Sequence, residues 1–281
     1  MDPSLRLGLE LRPLVLPAPG AEGTGATTGS LERLVAEVEA AEQAGFGAVW
    51  LHGGAGTVQP TADACTLAGA LASATSTITL GVVAVLPGGR LPSVMAREVT
   101  GLDRVSHGRS AVLFEAPLAG PEDPLETADA LCEAGHVCRA VLTEASPTFE
   151  GRQYRVHDAV NLPPPLRAGG PPVVVGLPRT DAVPTRCLVD AVAASGDPTE
   201  ARHLRRWLDE AEPGGSDHRV ALLWRTGPDG TGAPLDELVS TLGEAGVDGF
   251  LWSGPDDPER GVEDVAAAGA ALVSAVAGWG A

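Results

Sequence analysis

Short apolar runs alternate with longer amphipathic stretches along most of the chain. The apolar runs at 47–52, 77–86 and 110–115 are separated by helix-like stretches at 61–76 and 92–106. Two parallel strands need a crossover between them, and each of these stretches has the length of one helix. The pattern therefore predicts parallel strands joined by helices.

The same unit repeats along the rest of the chain. The other predicted strands are 5–11, 171–177, 187–194, 219–225 and 248–254, and the other predicted helices are 31–45, 125–144, 197–211, 234–246 and 256–278. Eight strand-and-helix units predict a (β/α)8 TIM barrel that forms a single domain over residues 1–281. The segment 178–186 is too short for a full helix, and 148–166 is expected to form a short hairpin with Gly151 in its turn.

Charge and composition exclude several classes of function. The net charge of −18 disfavours nucleic acid as a partner, because an acidic surface repels phosphate backbones. Every basic residue is Arg, so no ε-amine is present for Schiff-base or PLP chemistry. No apolar run has the length of a membrane span, and the N-terminal residues do not resemble a signal peptide.

The four cysteines are scattered along the chain and show no paired spacing. They are expected to be free thiols in a cytoplasmic protein. Cys132, His136 and Cys138 allow a zinc interpretation, but Cys138 leaves the helix face that the other two share and no fourth ligand lies nearby in sequence. We therefore expect no metal site.

In a (β/α)8 barrel the chemistry lies at the C-terminal ends of the strands. His52 ends the second strand, where its ring could exchange a proton near neutral pH or simply hydrogen-bond to a loop. Trp224 and Trp252 could form the walls of an apolar substrate pocket or belong to the core. The complete set of strand-end candidates is Glu10, His52, Val85 to Pro87, Glu115, Gly176, Trp224, Arg225, Trp252 and Ser253.

Four segments resemble the bacterial luciferase-like superfamily of flavin- and deazaflavin-dependent oxidoreductases. They are 41–51 (AEQAGFGAVWL), 70–82 (ALASATSTITLGV), 96–109 (AREVTGLDRVSHGR), and 149–156 (FEGRQYRV) with 163–176. The resemblance implies that FMN or the deazaflavin coenzyme F(420) binds over the barrel mouth and that small organic molecules are oxidised or reduced there. It also implies a dimer, formed with a second copy or with a related chain.

The resemblance assigns roles to individual residues. Glu115 corresponds to an acid that donates a proton, and burial under the cofactor ring would raise its pKa. Its position at a strand end also allows a plainer interpretation, an ion pair with an arginine of the mouth such as Arg225. Contacts to the cofactor are expected at Val85, Gly176 and Leu177, while Glu10 is expected in the substrate pocket. Arg179 could hold the cofactor phosphate in place of backbone amides, or it could be a surface arginine.

Three turns differ from the family pattern. Residues 51–56 read LHGGAG where an Asp-His pair is usual, the bulky Phe114 and Glu115 stand where glycines are usual, and Pro178 lacks the N–H of a phosphate turn. Two alternatives to a redox enzyme follow. One is a cofactor-free homologue or partner subunit, and the other is a barrel that uses His52 and Glu115 for non-redox acid–base chemistry.

Overall fold

The protein was analysed as a computed structural model. It describes residues 2–11, 31–53, 62–86, 90–117, 123–184, 187, 189–211, 219–226, 235–254, 261–277 and 279. Pro87, one of the strand-end candidates, lies outside these residues.

Eight parallel strands close into a barrel, which confirms the predicted (β/α)8 fold. Their order around the barrel is β1-β10-β9-β8-β7-β4-β3-β2. The barrel strands are β1 (Leu7–Leu11), β2 (Ala48–His52), β3 (Thr79–Val85), β4 (Ser110–Glu115), β7 (Val173–Gly176), β8 (Ala191–Ala194), β9 (Ala221–Thr226) and β10 (Gly249–Ser253).

Helices follow most strands and cover the outside of the barrel. They are α1 (Leu31–Ala44), α2 (Ala64–Leu71), α3 (Pro92–Val105), α4 (Pro124–Thr143), α5 (Pro198–Ala211), α6 (Leu235–Glu244) and α7 (Gly261–Ala277). A 3-10 turn, Pro3–Leu5, precedes β1. In the described part of the chain, no helix combines the length and the apolar character that a membrane crossing requires.

Most predicted elements are present, with boundaries that differ by a few residues. The predicted helix 61–76 is shorter, because Asp63 caps α2 by accepting a hydrogen bond from the Thr66 amide at 2.9 Å. The predicted hairpin is confirmed: β5 (Phe149–Glu150) pairs antiparallel with β6 (Arg155–Val156). Between β7 and β8 the described residues contain no helix, as the sequence predicts.

Side chains inside the barrel form a core of their own. This inner cluster includes Ala48, Trp50, Leu113 and Leu223, all fully buried. Trp50 is the largest of them, and glycines on both neighbouring strands make room for it. A Cβ atom at Gly8 would lie 2.9 Å from the Trp50 Nε1 atom, and one at Gly81 would overlap the Trp50 ring. The lower interior is therefore filled, and only its upper end is free to form a site.

Two of the cysteines are joined, so the expectation of four free thiols is wrong. Cys132 on α4 and Cys187, just before β8, form a disulfide with their Cα atoms 5.1 Å apart. Cys65 and Cys138 are free. The bond attaches the β7–β8 connection, whose described residues contain no helix, to α4. Because Cys132 is in the disulfide, its thiol cannot bind zinc together with His136. Among the described residues, no group of three metal-ligating side chains is found.

Breaking this disulfide is expected to lower the free energy of unfolding by about 2–4 kcal/mol, because the bond closes a long loop in the unfolded chain. The two cysteines are 55 residues apart in sequence. Urea unfolding of Cys132→Ser/Cys187→Ser without reductant measures the loss, with Cys65→Ser as the matched control. Finding four reactive thiols in the denatured wild type without reductant would contradict the assignment.

Candidate active site

Five polar side chains meet at the C-terminal end of the barrel and form what we call the mouth network. They come from five different positions in the chain: Glu10 on β1, His52 on β2, Glu115 on β4, Arg225 on β9 and Ser253 on β10. Each occupies the last or next-to-last position of its strand. The strand ends therefore bring together residues that are up to 243 positions apart in sequence.

The alternation of side chains along a strand explains why these five face inward. On β4, Ala111 and Leu113 belong to the inner cluster, so Glu115 lies on the same face. On β9, Ala221 and Leu223 belong to the inner cluster, so Arg225 lies on the inner face as well. On β2, Trp50 belongs to it, so His52 also lies on the inner face. The mouth network is thus the top layer of the barrel interior, directly above the apolar filling.

Arg225 connects the two carboxylates. Its Nη2 atom donates a hydrogen bond to Glu115 Oε2 at 2.9 Å. Its Nε atom lies 2.7 Å from Glu10 Oε1, in an ion pair rather than an aligned hydrogen bond. Glu10 also accepts a hydrogen bond from the Ser253 hydroxyl at 3.0 Å. The ion pair between Glu115 and Arg225, which the strand-end positions suggested, is confirmed.

His52 contacts the second oxygen of Glu115. Its Nδ1 atom lies 3.1 Å from Glu115 Oε1, and 23% of the His52 side chain is exposed against 11% of the Glu115 side chain. Nε2 of His52 has no partner among the described residues. The carboxylate thus orients the imidazole, and the other ring nitrogen stays available to a ligand.

The charges of the network reverse the expectation for Glu115. Burial alone would raise the pKa of this carboxyl, but the hydrogen bond from His52 and the positive charge of Arg225 hold the pKa below its usual value. Burial would likewise lower the pKa of Arg225, yet Glu10 and Glu115 raise it. Glu115 is therefore a carboxylate at neutral pH, and its protein partners act in the opposite direction to the rise in pKa that was expected from burial under a cofactor ring.

A model of the luciferase-like monooxygenase family matches residues 14–184, which is more than half of the chain. The chain belongs to this family.

Solved structures of luciferase-like enzymes share the fold. The chain is similar to a coenzyme F(420)-dependent tetrahydromethanopterin reductase from Methanopyrus kandleri, with 15% identity, a TM-score of 0.68, and 93% of this chain and 97% of that chain covered. The chain is also similar to an F(420)-dependent secondary alcohol dehydrogenase in complex with an F(420)-acetone adduct. The identity is 15%, the TM-score is 0.65, and the match covers 96% of this chain and 99% of that chain. For a riboflavin lyase with modified FMN and its substrate riboflavin, the identity is 14% and the TM-score is 0.66, with 99% of this chain and 94% of that chain covered. Both cofactor types thus occur among the structural neighbours.

Of the residues expected to hold a cofactor, Val85 and Gly176 lie beside the mouth network, whereas Leu177 and Arg179 lie in the turn after β7. Val85 pairs in register with Glu115, next to the mouth network. Gly176 faces the interior: a Cβ atom there would lie 3.3 Å from the Glu115 Cβ and 3.5 Å from Arg225 Nη1. Val85 and Gly176 therefore both lie beside the mouth network.

The turn after β7 does not suit a phosphate. The Leu177 amide already donates to the carbonyl oxygen of Ala193 at 2.8 Å, and Pro178 has no amide proton. Arg179 is exposed and binds Asp181 through two hydrogen bonds of 2.8 and 2.6 Å. At this turn of the family member, the Leu177 amide and two of the Arg179 guanidinium nitrogens are therefore already engaged.

Trp224 and Trp252 lie in the outer core, between the barrel and its helices. Trp224 is fully buried and donates from its indole Nε1 to the Gly196 carbonyl oxygen at 3.2 Å. Trp252 stacks on Phe46 with the ring centroids 6.2 Å apart. Of the two alternatives stated from the sequence, these contacts favour core side chains over pocket walls.

Arg225 and Ser253 complete the network, although sequence reasoning gave them no catalytic or binding role. Both were among the strand-end positions, and the alternation within each strand could have singled them out. A charged side chain that follows Ala221 and Leu223 at period two has to point into the interior, where it requires partners of opposite charge.

Proposed function

We propose that the protein is an oxidoreductase that acts on a small organic substrate with reduced FMN or deazaflavin F(420) bound over the barrel mouth. The pairing of His52 with Glu115 beneath this opening is the observation that carries the proposal. It supplies what a redox step on a small organic molecule needs from the protein, namely a held group that exchanges a proton beside the reacting atoms.

When bound, the cofactor would supply the transfer of electrons. The chain's own residues would bind and orient the ring at Val85 and Gly176 and would exchange a proton with the substrate at Nε2 of His52. Glu115 would hold the imidazole in place and stabilise the positive charge that follows proton uptake. Its lowered pKa suits this supporting role better than that of the acid itself.

The proposal extends to the setting of the enzyme. We infer one barrel domain over residues 1–281 in a bacterial cytoplasm, with a homodimer or a heterodimer with a related chain as the working form. The disulfide between Cys132 and Cys187 is unusual for a reducing compartment, so the redox state of these thiols in cells tests the location.

A cofactor-free homologue or partner subunit is the second candidate. The β7 turn favours it, because the Leu177 amide is used within the sheet and Arg179 is used by Asp181. A barrel that binds a ring without a phosphate anchor at this turn has to hold the phosphate elsewhere or bind no such cofactor.

Titration of the purified protein with FMN and with F(420), followed by fluorescence, distinguishes the two candidates. Saturable quenching by either cofactor supports the oxidoreductase. Gly176→Leu is the blocking variant, since its side chain would extend toward Glu115 and Arg225. Gly101→Leu is the control, because no atom lies within 4 Å of a Cβ at that position. No binding of either cofactor at millimolar concentration would overturn the proposal.

A further inference from the structure

Arg225 extends from one side of the barrel into the interior to reach carboxylates on two other strands. In the closed order of strands, β9 is separated from β1 by β10, and from β4 by β8 and β7. The guanidinium nevertheless contacts Glu10 and Glu115 at once. Small residues leave the space for it: Gly176 and Ala193 stand in register at the top of β7 and β8.

The formal charges of the network are unequal. Glu10 and Glu115 contribute two negative charges and Arg225 contributes one positive charge, so the sum is −1 while His52 is neutral. Without the guanidinium the sum would be −2 in a largely buried site, and the two like charges would favour protonation of one carboxylate.

The hydrogen bonds assign a position to the imidazole proton. Both oxygens of Glu115 have partners: Oε2 accepts from Arg225, and Oε1 lies 3.1 Å from His52 Nδ1. A carboxylate held in this way can only accept, so Nδ1 must carry the proton of the neutral ring. The Nε2 atom then keeps its lone pair, and no described residue forms a hydrogen bond or an ion pair with it.

We infer that Arg225 is a positioning residue that keeps Nε2 of His52 unprotonated and therefore able to accept a proton. It acts by neutralising the two carboxylates, which keeps Glu115 ionised and therefore a fixed acceptor for the Nδ1 proton. The catalytic meaning of this inference rests on the proposed function, but the protonation state of His52 does not.

Nitrogen NMR of protein labelled with ¹⁵N-histidine tests the inference at pH 8, above the usual pKa of about 6.5 for histidine. The chain has six histidines, and the His52 signals are assigned by their loss in His52→Gln. In the wild type, Nε2 of His52 is expected to give the signal of an unprotonated ring nitrogen, with the proton on Nδ1. Finding the proton on Nε2 would overturn the inference from the wild-type spectrum alone.

The variant Arg225→Gln keeps hydrogen-bonding groups but removes the charge. Glu115 is then expected to take up a proton and to donate it to Nδ1, so that the ring proton of His52 lies on Nε2 at pH 8. Arg225→Lys restores the charge and is expected to restore the free Nε2. Arg152→Gln removes an exposed arginine of the β5–β6 hairpin and is the matched control, with no change expected.

The outcomes separate the inference from the proposed function. A free Nε2 that persists in Arg225→Gln would mean that Arg225 is only a packing partner, and it would overturn the inference. If no cofactor binds while Nε2 changes as expected, the inference stands and the proposed oxidoreductase falls. A role limited to stability would lower the unfolding midpoint of Arg225→Gln and leave the His52 signals unchanged.

Discussion

His52→Gln is expected to lower the rate of substrate-dependent cofactor turnover by about 10²–10⁴-fold, the usual contribution of a positioned acid or base. Gln occupies a similar space and can still hydrogen-bond to Glu115, but it cannot take up the substrate proton. Cofactor affinity should change by no more than about 3-fold, or under 1 kcal/mol, because the ring is held by other groups. Absorbance of the cofactor during single turnover with a substrate found by screening measures the rate.

A matched histidine is available as the control for this experiment. His157 Nε2 lies 3.0 Å from Glu150 Oε1 in an exposed pair on the hairpin, so it has the same type of partner away from the mouth. His157→Gln should retain the wild-type rate. Equal rates for His52→Gln and the wild type would remove His52 from the chemistry and leave the mouth network with a structural role only.

Trp50→Ala is expected to lower the free energy of unfolding by about 3–5 kcal/mol, the usual cost of removing a buried Trp. The Trp50 side chain is fully buried inside the barrel, and its ring occupies space left by the glycines at positions 8 and 81. Since β2 continues from Trp50 to His52, the cavity would also loosen the floor of the mouth network. Urea unfolding followed by circular dichroism measures the loss.

Trp50→Phe provides the contrast, because it keeps most of the ring. The indole Nε1 of Trp50 has no hydrogen-bond partner among the described residues, and an unpaired buried N–H costs about 1–3 kcal/mol. Removing it should offset part of the lost packing, so Trp50→Phe should cost much less than Trp50→Ala. Similar losses for the two variants would show that Trp50 does not fill the interior as described.

The sequence was sufficient for the architecture of the barrel. Apolar runs separated by helical stretches predicted all eight barrel strands, and each has its counterpart in the closed sheet. The hairpin around Gly151 and the missing helix after β7 were predicted as well. These features depend on periodicity and on segment length, which are local properties of a chain.

The direction of individual side chains was harder to predict. In an ordinary half-exposed strand, polarity distinguishes the two faces, but each barrel strand is buried on both. Trp224 and Arg225 are neighbours on β9, yet one lies in the outer core and the other in the mouth network. The strand ends therefore located the site. To choose between two adjacent residues at a strand end, one has to know which of them points into the barrel and which points outward.

Contacts between distant segments could not be predicted from spacing. Cys132 and Cys187 are separated by 55 positions, and nothing in their local sequence indicates that the β7–β8 connection packs on α4. The lowered pKa of Glu115 has a similar origin, since it depends on His52 and Arg225 from other strands. The cysteines were treated as isolated although the fold pairs two of them, and the pKa of Glu115 was argued from burial alone although the fold adds the charges around it.

The most direct test is a crystal structure of the protein soaked with F(420) or with FMN. We predict that the ring lies over the C-terminal end of the barrel, in van der Waals contact with Val85 or Gly176 and within about 4 Å of His52 Nε2. A ring bound at another surface, or a mouth that remains free of cofactor in crystals soaked at millimolar concentration, would contradict the proposed site and the oxidoreductase function with it.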